Sequence, residues 1–390
     1  MIRILYITSA GERGGAEVVL LNLLRSLDRS RFEPTVVCLR DGNFVQELRE
    51  QANVDVEVLP TGRFRDLKRA SQVIGQLQHI IRSRGVHLVH CNGTGAHLYG
   101  GPAAWLSGVP SVYHLHDVLD WSWSTQGLVH LFAFLIPSTA IVAVSHYVAR
   151  SFERTWSSRR EIHVIHNGID LPRIENPKSQ IENLKSEECG WPPDSRVFAW
   201  CGRLQRWKGA HVFLEAAAIV KQQMPSARFL VVGGTLFGLD AAYQGELHAL
   251  ADKLNLNGCL RFTGHVRDTR RLMAAADVIV HSSIRPDSFG LVVLEAEALG
   301  KPVIASGDGG PMEIVQDKMT GLLVPPDNPR ALAQAMVRLL QGQELRVKMG
   351  KAGRDRAEQC FGVSQMMQKI ESLYRDLVKH PRTPRVSNPL

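Results

Sequence analysis

Short runs of β-branched and other apolar residues alternate along this chain with stretches whose apolar positions recur every three to four residues. Residues 2–8 read as a buried strand. Residues 17–27 follow as an amphipathic helix with Val19, Leu20, Leu23, Leu24 and Leu27 on one side. Strands are predicted at 33–39 and 55–59 with a helix over 45–52 between them, then a helix with mixed faces over 66–82. Further strands fall at 86–90, 111–114 and 139–144, with a short helix before the last of these. Such alternation predicts parallel strands joined by helical crossovers, a doubly wound sheet.

The pattern lapses after Asp170. Residues 171–194 carry Pro172, Pro177, Pro192 and Pro193 among many polar residues and no period, as a connection between domains does. Alternation then restarts. Strands fit 196–200, 227–232, 260–263, 278–280, 302–305 and 321–324; helices fit 212–223, 244–254, 268–275, 291–299, 312–315 and 329–340. Helices at 343–359 and 363–378 and a basic tail close the chain. The expectation is an α/β protein of two Rossmann-like, doubly wound parallel-sheet domains facing a cleft. The first takes residues 1–171, a linker 172–194 and the second domain 195–362, with a helix at about 363–380 packing back onto the first. Ligands of open α/β sheets gather beyond the carboxyl ends of the strands.

Composition narrows the partners. The 390 residues are 44% hydrophobic and 22% charged, as in a soluble globular protein, and the net charge of +8 favours anionic partners or plain solubility. Nucleic acid is excluded for want of a recognition motif. The six cysteines are scattered without ligand spacing and read as small buried hydrophobes in a reducing compartment. No signal peptide is read at the N-terminus. The most apolar window, 128–144, is broken by His130, Pro137, Ser138 and Thr139 and is too short to span a bilayer. A cytoplasmic protein is expected.

Candidate chemistry collects at strand ends. Residues 281–300 read HSSIRPDSFGLVVLEAEALG: a strand runs into a polar turn and then a helix, with Asp287 and Glu295 at either end. A helix N-terminus there offers free N–H groups to phosphate, and carboxylates accept hydrogen bonds from sugar hydroxyls. Gly11-Glu12-Arg13-Gly14-Gly15 lets backbone approach an anion, though a ligand-free tight turn explains it as well. In Gly202-Arg203-Leu204-Gln205-Arg206-Trp207-Lys208-Gly209, Arg203 supplies a planar fork and Lys208 a point charge, which suit a diphosphate or simply a solvated loop. His116-Asp117, Gly233-Gly234, Gly264-His265-Val266 and Gly309-Gly310-Pro311-Met312-Glu313 are each bland alone.

Their order is not bland. NGID, GRLxxxKG, VVGG, FTGHV, DSFGLVVLEAxALGKPVIAS, GGPMEIV and TGLLVPP follow one another. Together they resemble the retaining glycosyltransferases of the GT-B fold, family-4 or group 1 type, densely from 167 to about 340 and sparsely before. The resemblance implies a donor site in which Arg203 and Lys208 hold the diphosphate and stabilise its growing charge. Glu295 would take the ribose hydroxyls and Asp287 the sugar hydroxyls. Backbone groups of Phe289, Gly290 and Leu291 would lie at sugar or phosphate, and Gly234 and Val266 beside the nucleotide. Gly14 and Gly15 would close from the other domain and His116 would stand near the reaction centre, so that His116, Arg203, Lys208 and Asp287 form the catalytic set. Asn92 and Asn167 fall on the acceptor side. The implied co-substrate is a nucleotide sugar, UDP-linked in preference to GDP- or ADP-linked, with no metal and no other cofactor. Attack on the face of the departing diphosphate is implied, in bacterial-type glycan assembly. Asp287 departs from the glutamate usual at that position, which bears on the donor sugar.

A glycan or lipid-linked acceptor is expected against the first domain. Trp121-Ser122-Trp123 and residues 128–136 could line its groove or form a core helix with its lead-in. Arg63, Arg65, Lys68, Arg69, Arg82 and Arg84 could meet the inner face of an anionic membrane or form a solvated face. A GT-B epimerase and a non-catalytic nucleotide-sugar scaffold are the competing readings.

Overall fold

The computed structural model describes residues 1–9, 11–62, 66–119, 125–153, 161–170, 191–192, 194–235, 241–266 and 268–380. Trp121-Ser122-Trp123, Arg63, Arg65, Arg267 and most of the expected linker lie outside these. The chain divides into two compact units, Met1–Asp170 with Gly362–Leu390, and Leu171–Phe361.

In unit 1 the strands are β1 (Ile2–Thr8), β2 (Phe32–Cys38), β3 (Asp55–Val58), β4 (Leu88–Asn92), β5 (Ser111–Leu115), β6 (Ala140–Ala143) and β7 (Ile162–Val164). They lie in the order β3-β2-β1-β4-β5-β6-β7 and every pairing is parallel. The order reverses at β1, so β1 and β4 part to opposite sides of a switch point, and register sets Thr8 beside Asn92 and Asn92 beside His114. The helices are α1 (Gly15–Ser26), α2 (Asn43–Ala52), α3 (Leu67–Ser83), α4 (Thr94–Ser107), α5 (Thr125–Leu135) and α6 (His146–Glu153).

Pattern reading missed α4, α6 and β7. For α4 the reason is physical. Its sequence, TGAHLYGGPAAWLS, has no charge and no polar stripe, because much of it is buried and it packs tightly on the sheet. A Cβ on Gly100 would come within 2.6 Å of Cys91 Sγ and 2.8 Å of Ile7 Cδ1. Glycine here serves close packing at a cost in helix propensity.

Unit 2 holds β8 (Arg196–Cys201), β9 (Ala227–Val232), β10 (Leu260–Phe262), β11 (Val278–His281), β12 (Val303–Ser306) and β13 (Gly321–Val324). They form a second parallel sheet, ordered β10-β9-β8-β11-β12-β13. Its helices are α7 (Ala210–Gln223), α8 (Ala241–Lys253), α9 (Thr269–Ala275), α10 (Leu291–Ala298), α11 (Pro311–Ile314), α12 (Pro329–Gln341) and α13 (Gln343–Cys360). Phe198, Trp200, Phe213, Phe229, Val280 and Met336 belong to one buried core between sheet and helices. The final helix, α14 (Val363–Lys379), belongs to unit 1 and contacts α1 and β4. Its fully buried Tyr374 stands edge-on to Phe32 and Tyr6.

One acid lies in the core of unit 2. Glu297, on α10, is fully buried and accepts from Thr320 Oγ1 at 2.6 Å. Burial raises its carboxyl from 4.5 to about 8, against the Thr320 hydrogen bond and the Arg356 charge. The folded group is therefore neutral where the unfolded one ionises. Its contribution to stability is fully present below 4.5 and is lost as pH rises through about 8. Glu297→Gln should not share this loss. The melting temperature of the variant relative to the parent is expected to climb across that window, and a constant difference would remove Glu297 from the account.

Candidate active site

The C-terminal ends of the unit 2 strands are laced by backbone. Leu204 N donates to Gly234 O at 3.1 Å and Gly233 N to Gly264 O at 3.1 Å, joining the loops after β8, β9 and β10. Val266 sits half-buried just beyond. On the other side of β8, Ile284 N donates to Trp207 O at 2.8 Å and Ser282 Oγ to Gly209 O at 2.7 Å. Gly209 has φ 71°, and a Cβ there would lie 1.9 Å from Ser282 O, so only glycine lets the two loops meet. Beyond β12, Gly310 N donates to Asp287 O at 2.8 Å and Gly309, at φ 79°, bridges to Asp287.

Asp287 is thereby held by its backbone, and its side chain meets a charge. Lys208 Nζ lies 2.5 Å from Asp287 Oδ2, and His281 Nε2 lies 3.1 Å from the same oxygen and 3.1 Å from Ser283 Oγ. Burial of Asp287 opposes ionisation, but Lys208 and His281 together outweigh it and hold the carboxyl well below the usual range. The Lys208 ammonium also stands 4.1 Å from the centre of the Trp207 ring. Arg203 is exposed, on the same loop. The Phe289 ring is buried and packs edge-on to Phe361, so this residue offers a ligand its backbone. Its N–H lies a long 3.5 Å from Asp287 Oδ1. Gly290, at φ 90°, opens α10 and Leu291 is its first residue, which leaves first-turn N–H groups without helical partners at the positive end of the dipole. One turn on, Glu295 is half-buried, and its charge adds to burial in pushing the Cys201 thiol up. Cation, helix terminus and carboxylates thus share one rim, a set able to bind a diphosphate and sugar hydroxyls.

In unit 1 the loop before α1 is fixed by Glu17, whose Oε2 accepts from Gly14 N at 3.2 Å while Thr8 Oγ1 donates to Oε1 at 3.4 Å. Gly15 begins the helix. His116 follows β5, and its Nε2 lies 2.8 Å from Asn92 Oδ1; the Asn92 amide donates in turn to Ala16 O at 3.3 Å. Both polar ends of Asn92 are engaged, and His116 carries its proton on Nε2. Behind it, His114 packs on His116 with centroids 4.1 Å apart, His90 Nε2 lies 3.2 Å from His114 Nδ1, and Tyr374 OH lies 2.8 Å from His90 Nδ1. Burial pushes His90 and His116 down to about 3 and depresses His114 as well. These imidazoles are neutral. Asn167 sits elsewhere, in the segment that meets the last helix, where Val363 N donates to Ile169 O at 3.0 Å.

Sequence reasoning missed Glu17, His90, His114, Tyr374, His281 and Ser283. Only Glu17 had a readable signal, its three-residue spacing from Gly14 at a helix start.

A family model described as "Glycosyl transferases group 1" matches residues 182–356, and one described as "Glycosyltransferase Family 4" matches residues 13–173. The chain is 33% identical over 230 residues to the D-inositol 3-phosphate glycosyltransferase of Corynebacterium urealyticum, which takes in 58% of this chain and 53% of that one. This chain thus spans about half the length of that relative. With the enzyme of the same name from Xylanimonas cellulosilytica the identity is 28% over 405 residues, 95% of this chain and 93% of the other. The crystal structure of Anabaena HepE in complex with UDP-glucose superposes with a TM-score of 0.86 at 28% identity, covering 97% of this chain and all of that one.

The histidine file makes a direct prediction. His90 and His116 should show no titration step near 6.5 in histidine-detected NMR, staying neutral down to about 3. Because unfolding would free them to bind protons, their contribution to stability is present above 6.5 and is lost as pH falls toward 3. A step near 6.5 for either would contradict the buried geometry.

Proposed function

The chain belongs to the group 1 glycosyltransferases of the GT-B fold, and we propose that it transfers a sugar from a UDP-sugar to a hydroxyl acceptor with retention of anomeric configuration. The observation that carries this reading is the Lys208–Asp287 pair on the same rim as the open N-terminus of α10. In the proposed step Lys208 and Arg203 take the diphosphate and stabilise the charge that grows on it as the glycosidic bond breaks. The α10 dipole adds to them, so the charge work needs no metal. Glu295 accepts from the ribose hydroxyls and Asp287 from a sugar hydroxyl, with backbone of Phe289, Gly290, Leu291, Gly234 and Val266 along the donor. His116 serves as a neutral hydrogen-bonding group at the sugar, and Gly14 and Gly15 cover it. Asn92 acts through His116, and Asn167 belongs to the acceptor side. The two acids divide between nucleotide and sugar, so a two-carboxylate glycosidase scheme is not needed; positioning and leaving-group stabilisation supply the rate. UDP is favoured as the base because the Anabaena relative is described in complex with UDP and with UDP-glucose.

Turnover of a panel of UDP-, GDP- and ADP-sugars tests this. A UDP-sugar is expected to react, and Arg203→Ala and Lys208→Ala each to lower its turnover by about 100- to 1,000-fold. Arg203→Ala should leave thermal unfolding unchanged, since that side chain is exposed. Donor turnover without any acceptor, giving an epimer, would favour the epimerase reading. Tight UDP binding with no turnover of any donor would favour a scaffold.

A lipid-linked acceptor has one specific observation in its favour. No helix among the described residues is long and apolar enough to cross a membrane. Helix α4 nevertheless packs against both α3 and α5, and α3 carries Lys68, Arg69 and Arg82 with no acid. Helices α4 and α5 hold no Asp, Glu, Lys or Arg, yet expose Trp105, Leu106, Phe132 and Leu135. Ile136, just past the end of α5, abuts Gly101, one turn before Trp105, so the two helices that carry these side chains lie together. Apolar groups beside basic ones suit an anionic lipid surface, each cation adding about 1 kcal/mol. Phosphatidylglycerol vesicles should therefore pull down the protein where phosphatidylcholine vesicles do not. A Trp105→Ser, Phe132→Ser double variant should lose most of that binding; equal sedimentation would leave the acceptor a soluble glycan.

A further inference from the structure

Asp287 receives its two partners unequally. Lys208 Nζ and His281 Nε2 converge on Oδ2, at 2.5 and 3.1 Å, whereas among the described residues Oδ1 meets only the long approach of the Phe289 N–H at 3.5 Å. One carboxylate oxygen is committed and the other, in a side chain that is 9% exposed, keeps most of its capacity to accept.

The partners also differ in freedom. Lys208 ends a four-carbon stem on a one-turn helix, and its side chain is 19% exposed. His281 is the last residue of β11, registered against Ala305 in the sheet, and its side chain is 6% exposed. An ammonium on a flexible stem can turn toward an arriving diphosphate; an imidazole rooted in a central strand cannot follow it. Its protonation is set by its surroundings. An ionised carboxylate only accepts, so the proton lies on Nε2, and Nδ1 is buried without a partner among the described residues. A proton on Nδ1 as well would bury an unpaired donor, so the neutral Nε2–H tautomer fits.

We propose that His281 is a positioning residue of the donor site: it keeps Asp287 Oδ1 presented to a donor-sugar hydroxyl while Lys208 turns to the diphosphate. Aspartate makes such an anchor effective, because it has one torsion fewer than glutamate between backbone and carboxylate. Fixing Oδ2 then fixes the whole group. This inference rests on the donor-site reading above.

The test compares His281→Ala and His281→Gln with the parent, by calorimetry with UDP, by steady-state turnover of the reactive UDP-sugar, and by 15N NMR of the parent's histidines. Expected are UDP affinity within about twofold of the parent in both variants, and kcat/KM for the UDP-sugar lowered about 100-fold in the alanine variant. The glutamine variant, whose amide can still donate to Asp287, should recover at least about a tenth of the parent value. The parent spectrum should show His281 protonated on Nε2 alone. UDP affinity and turnover falling by the same factor would make His281 a structural support of the nucleotide pocket and overturn the proposal. Equal losses in the two variants would overturn the hydrogen bond as its means. A proton on Nδ1 would overturn the tautomer whatever the substrate. Should the parent bind no UDP, the donor-site reading fails, and the 15N spectrum still decides the His281–Asp287 contact.

Discussion

Asp287 keeps a negative charge in a place where burial alone would take it away. What preserves it is the contact with Lys208, assisted by His281. A buried pair of this kind adds little to net stability, because desolvation consumes most of the attraction. What it gives is definition: two charged groups are held ready in one geometry at the ends of β8 and β11. The surrounding backbone serves that geometry. Gly209 and Gly309 adopt positive φ so that the loops carrying Lys208 and Pro311 can press against the 281–290 turn. The same dependence has a converse. Lys208 neutralises an acid as well as offering a cation, so its removal leaves a buried carboxylate supported, among the described residues, by His281 and the long Phe289 N–H contact, whereas the exposed Arg203 carries no such structural duty.

Much of the fold was legible because doubly wound sheets write themselves plainly. Central strands are continuous apolar runs, as in Ile4 to Ile7 and Phe198 to Trp200, and amphipathic helices separate them. Legibility failed where an element departs from that contrast. Helix α4 is sunk against the sheet and has no polar face to give a period, while β7 is three residues long and half-buried. Strand-end glycines and charges were legible by their order, and Lys208 and Asp287 do meet. The supporting residues were not legible. His281 and His114 look alike in a sequence, each a histidine in an apolar strand; only the fold sets one against a carboxylate and the other against imidazoles.

That contrast bears on mechanism. The candidate residues of unit 1 are gathered around neutral imidazoles: burial depresses His90, His114 and His116 so that each holds a single ring proton. The candidate residues of unit 2 are gathered around an ion pair and a helix terminus. A glycosyl transfer that leaves its charge on a diphosphate needs cations near the leaving group, and a cation beside the sugar would oppose positive charge developing at the anomeric carbon. On the proposed reading a neutral His116, its one N–H given to Asn92 Oδ1, would meet the second condition and Lys208 with Arg203 the first. On that reading the burial that depresses His116 would be part of the chemistry.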